Sequence, residues 1–320
     1  MTKEKQFLLH WLLLLVPCLF STQIHAEPKV VVSIKPVHSL VAGLMRNIGE
    51  PKLLIDGNQS PHSLSLRPSN ARALNEADLI IWIGSGLEPS LSHILEQHKG
   101  DTEVISLLDT PGLHLLPIRV SHEWELHRHT SSRHQDDDLP ESDRKNWDNH
   151  IWLSPENASL MVQHLTRALI RLDASHSDQY LINSQHLLNR LQRLDTDLTT
   201  MTTAVREIPY MVFHDAYHYL EYHFQLNAVG SVSINPERLS GARRIHQLRK
   251  KIRRLNARCV FTEPQFEPKL VHTLVEGTQA RIGQLDPLGN DLPTGPDAYF
   301  MLMQHLSNNL IECLASRSRQ

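Results

Sequence analysis

Histidine is the residue type that points to chemistry in this chain of 320 residues, where it occurs 21 times. Three histidines, His62, His150 and His214, lie at predicted strand ends or strand entries of different segments, each beside a proline or an apolar run. If they converge, they form a nitrogen-only site. Neutral imidazoles suit zinc in a tetrahedral arrangement, whereas manganese and magnesium prefer more oxygen ligands. The fourth position is then open to water or to an oxygen of Asp286 or Glu263.

Other histidines are weaker candidates for this site. His38 begins a predicted helix, and His218 follows His214 by four residues, where a helix is only just starting. The segment 122–149 combines acidic residues with few aliphatic ones and contains His122, His127, His129 and His134. Such a segment cannot bury a core, so its composition predicts a mobile loop. It is either a transient collector of metal ions or a polar insertion without function.

The charges of the chain argue against a nucleic-acid partner. There are 32 Lys and Arg residues against 35 Asp and Glu, which gives a net charge of −3. The one concentrated basic run, over 243–254, has the pattern of a solvated helix face. A nucleic-acid-binding surface would need a stronger basic patch than this.

Residues 1–26 have the layout of a secretory signal peptide, with an apolar run from Phe7 to Phe20 and expected cleavage after Ala26. We therefore expect the mature chain outside the cytoplasm. Two cysteines remain in it, Cys259 and Cys313, and in an oxidising compartment they most simply form one disulfide. In the loop-entropy model that bridge stabilises the fold by about 4 kcal/mol. Metal ligation by these cysteines lacks the usual Cys-x-x-Cys spacing.

The middle of the chain is predicted to be helical, because no Gly or Pro occurs from Glu156 to Ile208. A first helix is expected over about 156–172 and a second over 177–206, separated by capping residues. Apolar residues recur every three or four positions along the second helix, at Leu188, Leu191, Leu194, Leu198, Met201 and Val205. A helix of this length spans roughly 45 Å and should contact two bodies.

On either side of these helices, short apolar strand patterns alternate with helical ones. The first half has strand patterns at 30–34, 52–55, 79–83 and 103–107, and the second half at 210–213, 228–232, 258–262 and 281–285. This alternation is typical of parallel sheets covered by helices on both faces. The sequence therefore predicts an α/β protein with two lobes, each a parallel sheet flanked by helices, joined by one long rigid helix. The expected limits are 27–172 for the first lobe, 173–206 for the linker and 207–320 for the second lobe.

Five segments carry a family resemblance, in order along nearly the whole mature chain. They are His-Ser-Leu-Ser-Leu-Arg-Pro-Ser from His62, His-Ile-Trp-Leu-Ser-Pro from His150, Val-Phe-His-Asp-Ala-Tyr from Val212, Thr-Glu-Pro-Gln-Phe from Thr262 and Leu-Asp-Pro-Leu-Gly from Leu285. Together they resemble the periplasmic zinc-binding proteins of ABC transporters, a family that includes metal-binding lipoproteins and adhesins.

The resemblance implies a zinc site between the lobes formed by His62, His150 and His214, with an acidic, histidine-bearing loop near the cleft. It also implies delivery of zinc to an inner-membrane permease driven by a cytoplasmic ATPase, with no enzymatic reaction, and we expect a monomer. One departure bears on the site. Many family members have Glu immediately before the first histidine, but Pro61 stands there in this chain. Water, or Asp286, must then complete the metal coordination.

Three alternatives remain open at this point. A manganese or iron importer would share the fold and the mode of transport. A secreted zinc hydrolase would also use three histidines and a water, with Asp215 as a conceivable general base, although the His-Glu-x-x-His motif is lacking. A metal-dependent adhesin would need a binding surface that the sequence does not reveal.

Overall fold

A computed structural model describes residues 27–57, 59–97, 101–119, 124, 147–232, 242–265 and 269–315. The predicted signal peptide lies outside these residues, as do the four histidines of the predicted loop over 122–149.

Each half of the chain forms a four-stranded parallel sheet. The strands of the first sheet are Val30–Val32 (β1), Lys52–Leu53 (β2), Leu79–Trp82 (β3) and Glu103–Ser106 (β4), in the order β2-β1-β3-β4. The strands of the second sheet are Tyr210–Val212 (β5), Ala228–Ser231 (β6), Cys259–Thr262 (β7) and Arg281–Gln284 (β8), in the order β6-β5-β7-β8. The two sheets therefore have the same topology, and the predicted fold class is confirmed.

Helices follow the strands, as the apolar periodicity predicts. Those of the first half are Lys35–Leu44 (α1), Pro68–Asn75 (α2) and Pro89–Glu96 (α3). The central pair is Pro155–Leu172 (α4) and Ser177–Thr202 (α5). Those of the second half are His218–Phe224 (α6), Ala242–Arg254 (α7), Lys269–Val275 (α8) and Ala298–Ala315 (α9). None of the helices in the described part of the chain combines the length and apolar character that a membrane span requires.

The long helix α5 ends in a 3-10 turn over Thr203–Val205 and buries most of the predicted apolar stripe. Met201 is the exception: it is 36% exposed, whereas Thr202 is fully buried and donates a hydrogen bond from Oγ1 to Leu198 O. At about 100° per residue, position 202 lies closer than position 201 to the centre of the face defined by Leu191 and Leu198. The inclusion of Met201 in the stripe was therefore wrong: it was chosen because it is apolar, whereas the angular position on the helix decides which of the two residues is buried.

The two lobes share one hydrophobic core. A single cluster of buried side chains contains Val31 of β1, Leu191 of α5, Val212 of β5 and Leu306 of α9, and a smaller cluster packs on the other face of the second sheet. Helix α9 also contacts the first lobe directly, since the Tyr299 hydroxyl donates a hydrogen bond of 2.8 Å to Trp152 O. The predicted domain limits remain a prediction, but the lobes are not separated by solvent.

A disulfide joins Cys259 of β7 to Cys313 of α9, as predicted, and closes a loop of 54 residues. It attaches the last helix to the central part of the second sheet, while the start of that helix lies against the first lobe.

Candidate metal centre

The three candidate histidines lie where the chain leaves or enters regular structure. His62 is in a 3-10 turn over Pro61–Ser63, and its backbone N–H donates to Ser60 Oγ. His150 immediately precedes a second 3-10 turn, Ile151–Leu153, which leads into α4. His214 follows β5 at the carboxyl end of that strand. The backbone N–H of each of the three histidines donates a hydrogen bond to a nearby side chain, which fixes the position of the residue.

The fold brings the three rings together at the seam between the lobes. One ligand atom from each of His62, His150 and His214 lies within 4.8 Å of the other two. The ring centroids are 5.8 Å apart for His62 and His150, 6.1 Å for His62 and His214, and 5.5 Å for His150 and His214. His150 and His214 are buried and His62 is partly buried. This geometry allows three imidazoles to bind one ion.

Two carboxylates orient the buried rings. His150 Nδ1 is 2.7 Å from Asp148 Oδ1, and His214 Nδ1 is 2.6 Å from Glu263 Oε1. Because a carboxylate accepts the proton of Nδ1, the neutral form of each ring has its lone pair on Nε2, which can bind a metal. Glu263 was one candidate for the fourth ligand. Its carboxylate instead binds Nδ1 of His214, the ring nitrogen that does not face the site.

Burial and charge have opposite effects on His214. Burial lowers the pKa of its imidazole, but the neighbouring Glu263 carboxylate raises it, and the net result is a pKa above the usual value. Burial likewise raises the pKa of Glu263, and the contact with His214 opposes that rise. The pair is thus a tight hydrogen-bonded unit with both side chains buried.

Asp286 does not belong to the converging group. Its carboxylate accepts hydrogen bonds from the backbone N–H groups of Leu288 at 3.0 Å and Asn290 at 2.6 Å, and from Gln265 Nε2 at 2.9 Å. These contacts correspond to a turn-forming residue rather than to a ligand. We therefore leave Asp286 out of the proposed ligand set.

His38 and His218, the two weaker candidates, also lie outside the group of three converging histidines. His38 is buried in α1 and forms a hydrogen bond of 2.9 Å between Nε2 and Pro51 O, and burial lowers its pKa. His218 is the first residue of α6, with Nδ1 3.7 Å from Asp148 Oδ2. Neither ring joins the three that converge.

Sequence reasoning missed Asp148 and Gln265 as parts of the site. Asp148 precedes His150 by two residues, a local signal that was available in the sequence. Gln265 stands in the Thr-Glu-Pro-Gln segment, but no pattern shows that this segment lies opposite Asp286.

The pocket around the rings is small. Besides the three histidines it is lined by Ser60, Pro61, Trp152, Glu263, Gln265, Pro287 and Leu288, and its cavity volume is about 20 Å³. That volume accommodates a body the size of a water molecule or a small ion. A larger cavity of about 610 Å³ lies beside His38 and contains none of the three candidate histidines.

The fold and the site together define a two-lobed α/β protein with an ion-sized, imidazole-lined pocket at the seam of its lobes. The sequence model of the family described as zinc-uptake complex component A, periplasmic (ZnuA), matches residues 30–313. The chain belongs to this family.

Individual relatives agree with the family match. The chain is 39% identical over 305 residues to the high-affinity zinc uptake system protein ZnuA of Brucella suis biovar 1 (strain 1330), covering 89% of this chain and 91% of that protein. It is 34% identical over 293 residues to the protein of the same description from Yersinia pestis, covering 90% and 92%.

Solved structures share the fold. A crystal structure of ZnuA superposes with a TM-score of 0.71 at 23% identity, covering 89% of this chain and all of that one. The structure of FpvC from Pseudomonas aeruginosa in complex with Mn²⁺ superposes with a TM-score of 0.75 at 17% identity, covering 91% and 99%. At these identities the likeness concerns the fold alone.

Proposed function

We propose that this protein binds Zn²⁺ outside the cytoplasm through His62, His150 and His214 and delivers it to an inner-membrane ABC permease driven by a cytoplasmic ATPase. The observation that carries the proposal is the convergence of one ligand atom from each ring within 4.8 Å. Docking on the permease would perturb the seam and release the ion. The family, whose members are described as periplasmic zinc-uptake components, supports both the ion and the compartment.

The donor set favours zinc over manganese or iron. The fold itself does not select the metal, since a structure in complex with Mn²⁺ is among its neighbours. Among the described residues, three imidazole nitrogens converge without a carboxylate, which suits zinc because manganese prefers more oxygen ligands. Selection therefore depends on Asp148 and Glu263 staying on the far side of their histidines, and on Asp286 staying in its turn.

Two observations argue against a hydrolase. The cavity of about 20 Å³ has no room for an ester or a peptide beside an ion. Asp215, the conceivable general base, is occupied by an ion pair with Arg119, whose Nε is 3.1 Å from Asp215 Oδ2 and whose Nη2 contacts Oδ1. Binding of a metal ion without a catalysed reaction therefore fits the site better than hydrolysis does.

Water is the fourth ligand in this proposal. Pro61 has no ligand atom on its side chain, and the described hydrogen bonds of Asp286 and Glu263 hold both residues in other roles. Export of the chain with removal of residues 1–26, and a monomeric state, complete the proposal and stay predictions.

The proposal is tested by replacing the three histidines by Ala, singly and together, and measuring zinc affinity by competition with a chromogenic chelator. Each single change removes one of about four ligands and should weaken binding roughly 100-fold. The triple variant should not compete for zinc at all. His93→Ala is the matched control, because that side chain is 82% exposed on α3 and lies outside the site. A triple variant that binds zinc as tightly as the unchanged protein contradicts the proposal.

A further inference from the structure

Gln265 is the polar residue of the ion pocket whose role the ligand set leaves unexplained. It lines the same pocket as the three histidines. Its Nε2 donates a hydrogen bond of 2.9 Å to Asp286 Oδ1. Asp286 in turn is held by the backbone N–H groups of Leu288 and Asn290. The amide of Gln265 is therefore anchored to a rigid turn of the second lobe.

The hydrogen bond to Asp286 determines which atom of the Gln265 amide remains without a partner. A carboxylate oxygen only accepts hydrogen bonds, so Asp286 requires the N–H₂ end of Gln265. The carbonyl oxygen Oε1 must then find a different partner. Oε1 is buried, and it has no hydrogen-bond partner among the residues that the structure describes. A buried acceptor without a partner costs folding free energy. A bound ligand that donates a hydrogen bond to Oε1 would remove this cost.

The chemistry of a zinc ion bound by three imidazoles supplies such a ligand. Zinc with three protein ligands takes a water in the fourth position. The metal withdraws electron density from that water, whose O–H groups become strong donors and need acceptors. Asp148 Oδ1 and Glu263 Oε1 already accept from the Nδ1 atoms of His150 and His214. Two acceptors of the pocket lining have no hydrogen-bond partner among the described residues, Gln265 Oε1 and Glu263 Oε2. The Tyr217 hydroxyl interacts with the Glu263 carboxylate, which leaves the oxygen of Gln265 available for this bond.

We propose that Gln265 is a further residue of the metal centre, whose Oε1 accepts a hydrogen bond from the water that completes the zinc coordination. This inference rests on the function proposed above, because it requires zinc on the three histidines. It also gives Asp286 a role: that carboxylate does not bind the ion but orients the amide that holds the fourth ligand.

The test is the substitution Gln265→Met, which keeps the length of the side chain and removes both the Oε1 acceptor and the Nε2 donor to Asp286. Zinc affinity is measured by chelator competition, and the melting temperature (Tm) is measured on the metal-free protein. Loss of an outer partner of a metal ligand typically weakens binding 10- to 100-fold, and we expect at least a tenfold loss. The metal-free Tm should change little, because the removal of an unpaired buried acceptor offsets the loss of the Nε2 hydrogen bond to Asp286, which keeps its two backbone donors. Gln97→Met, at an exposed position after α3, is the matched control.

The two measurements together separate a ligand-holding role from a structural one, because only the first role lowers the zinc affinity while the metal-free Tm is kept. If Gln265→Met lowers both the zinc affinity and the metal-free Tm, the residue supports the fold and the inference is wrong. If affinity is unchanged while the triple histidine variant has lost zinc, the acceptor lies elsewhere, for example on Glu263, and the inference fails although the proposed function stands. If the triple variant still binds zinc, the proposed function fails first.

Discussion

Glu88 is a buried carboxyl group of the first lobe that takes no part in the metal centre. It lies directly before α3 with no exposed surface, and its Oε2 accepts hydrogen bonds from the backbone N–H groups of Ile83 at 3.1 Å and Gly84 at 3.0 Å. Burial raises its pKa to about 7, and the hydrogen bonds from Ser33, Gly84 and Ile83 only partly oppose this. Between about pH 4.5 and pH 7 the folded protein therefore holds a proton there that the unfolded chain has largely released.

This difference gives stability a predictable dependence on pH. The folded-state pKa is higher than the unfolded value of 4.5, so the contribution of Glu88 is fully present below about pH 4.5 and is lost as the pH rises through about 7. The variant Glu88→Gln keeps the shape and an acceptor oxygen but cannot ionise. We expect its Tm to exceed that of the unchanged protein by a margin that grows between pH 6 and pH 8.5, measured by circular dichroism. A margin that does not change with pH would show that Glu88 does not titrate in this range.

The sequence indicated which three histidines come together, but it gave little information about the residues that hydrogen-bond to them. His62, His150 and His214 stand out because each lies in a recognisable strand-end segment of its own. The contacts of Glu263 with His214 and of Gln265 with Asp286 depend on how β7 and β8 lie beside β5, and no spacing along the chain contains that information. Asp286 illustrates the limit: its residue type permits ligation, and only its hydrogen bonds show that it forms a turn.

Among the elements, the short helix α6 connects the His214 segment to the first lobe. The hydroxyl of Tyr219 donates to Asp148 O at 2.8 Å and accepts from the backbone N–H of Leu116 at 3.1 Å. Arg119 strengthens the same connection, since its Nη1 is 2.6 Å from Glu221 Oε2 of this helix. Tyr219 thus attaches α6 to the backbone on both sides of the segment 117–147, close to the residue that orients His150.

We predict that Tyr219→Phe destabilises the protein because two buried backbone groups lose their partner. The expected loss is about 1–3 kcal/mol in the free energy of unfolding, measured by urea titration of the metal-free protein. Tyr222→Phe on the same helix is the control, because Tyr222 is 58% exposed and should change stability very little. Equal stability of the two variants would show that the Tyr219 hydroxyl does not support the connection between lobes.

Element types were largely predictable from the sequence, but their packing partners were not. The alternation of apolar strands and amphipathic helices was sufficient to predict both sheets, and the lack of Gly and Pro was sufficient to predict α4 and α5. The apolar face of α9 indicates how much of this helix is buried but not against what. Its contacts with Trp152 and Ser39 of the first lobe join residues 147 and 260 positions apart along the chain and arise from tertiary packing.

For the molecule as a whole, the shared core makes the two lobes one cooperative unit. Buried side chains from both sheets, from α5 and from α9 belong to a single cluster, and the Cys259–Cys313 disulfide attaches α9 to the second sheet. Unfolding one lobe would expose the core face of the other. The ion pocket lies across this seam, so a bound ion stabilises both lobes at once.

We therefore predict a single transition in differential scanning calorimetry, and a shift of that whole transition to higher temperature when zinc is added. The stabilisation follows the free zinc concentration relative to the dissociation constant, and reaches about 2.7 kcal/mol at a 100-fold excess over that constant. The triple histidine variant should show the same single transition without the shift. Two separate transitions, of which only one responds to zinc, would show that the lobes unfold independently and that the core is divided at the seam.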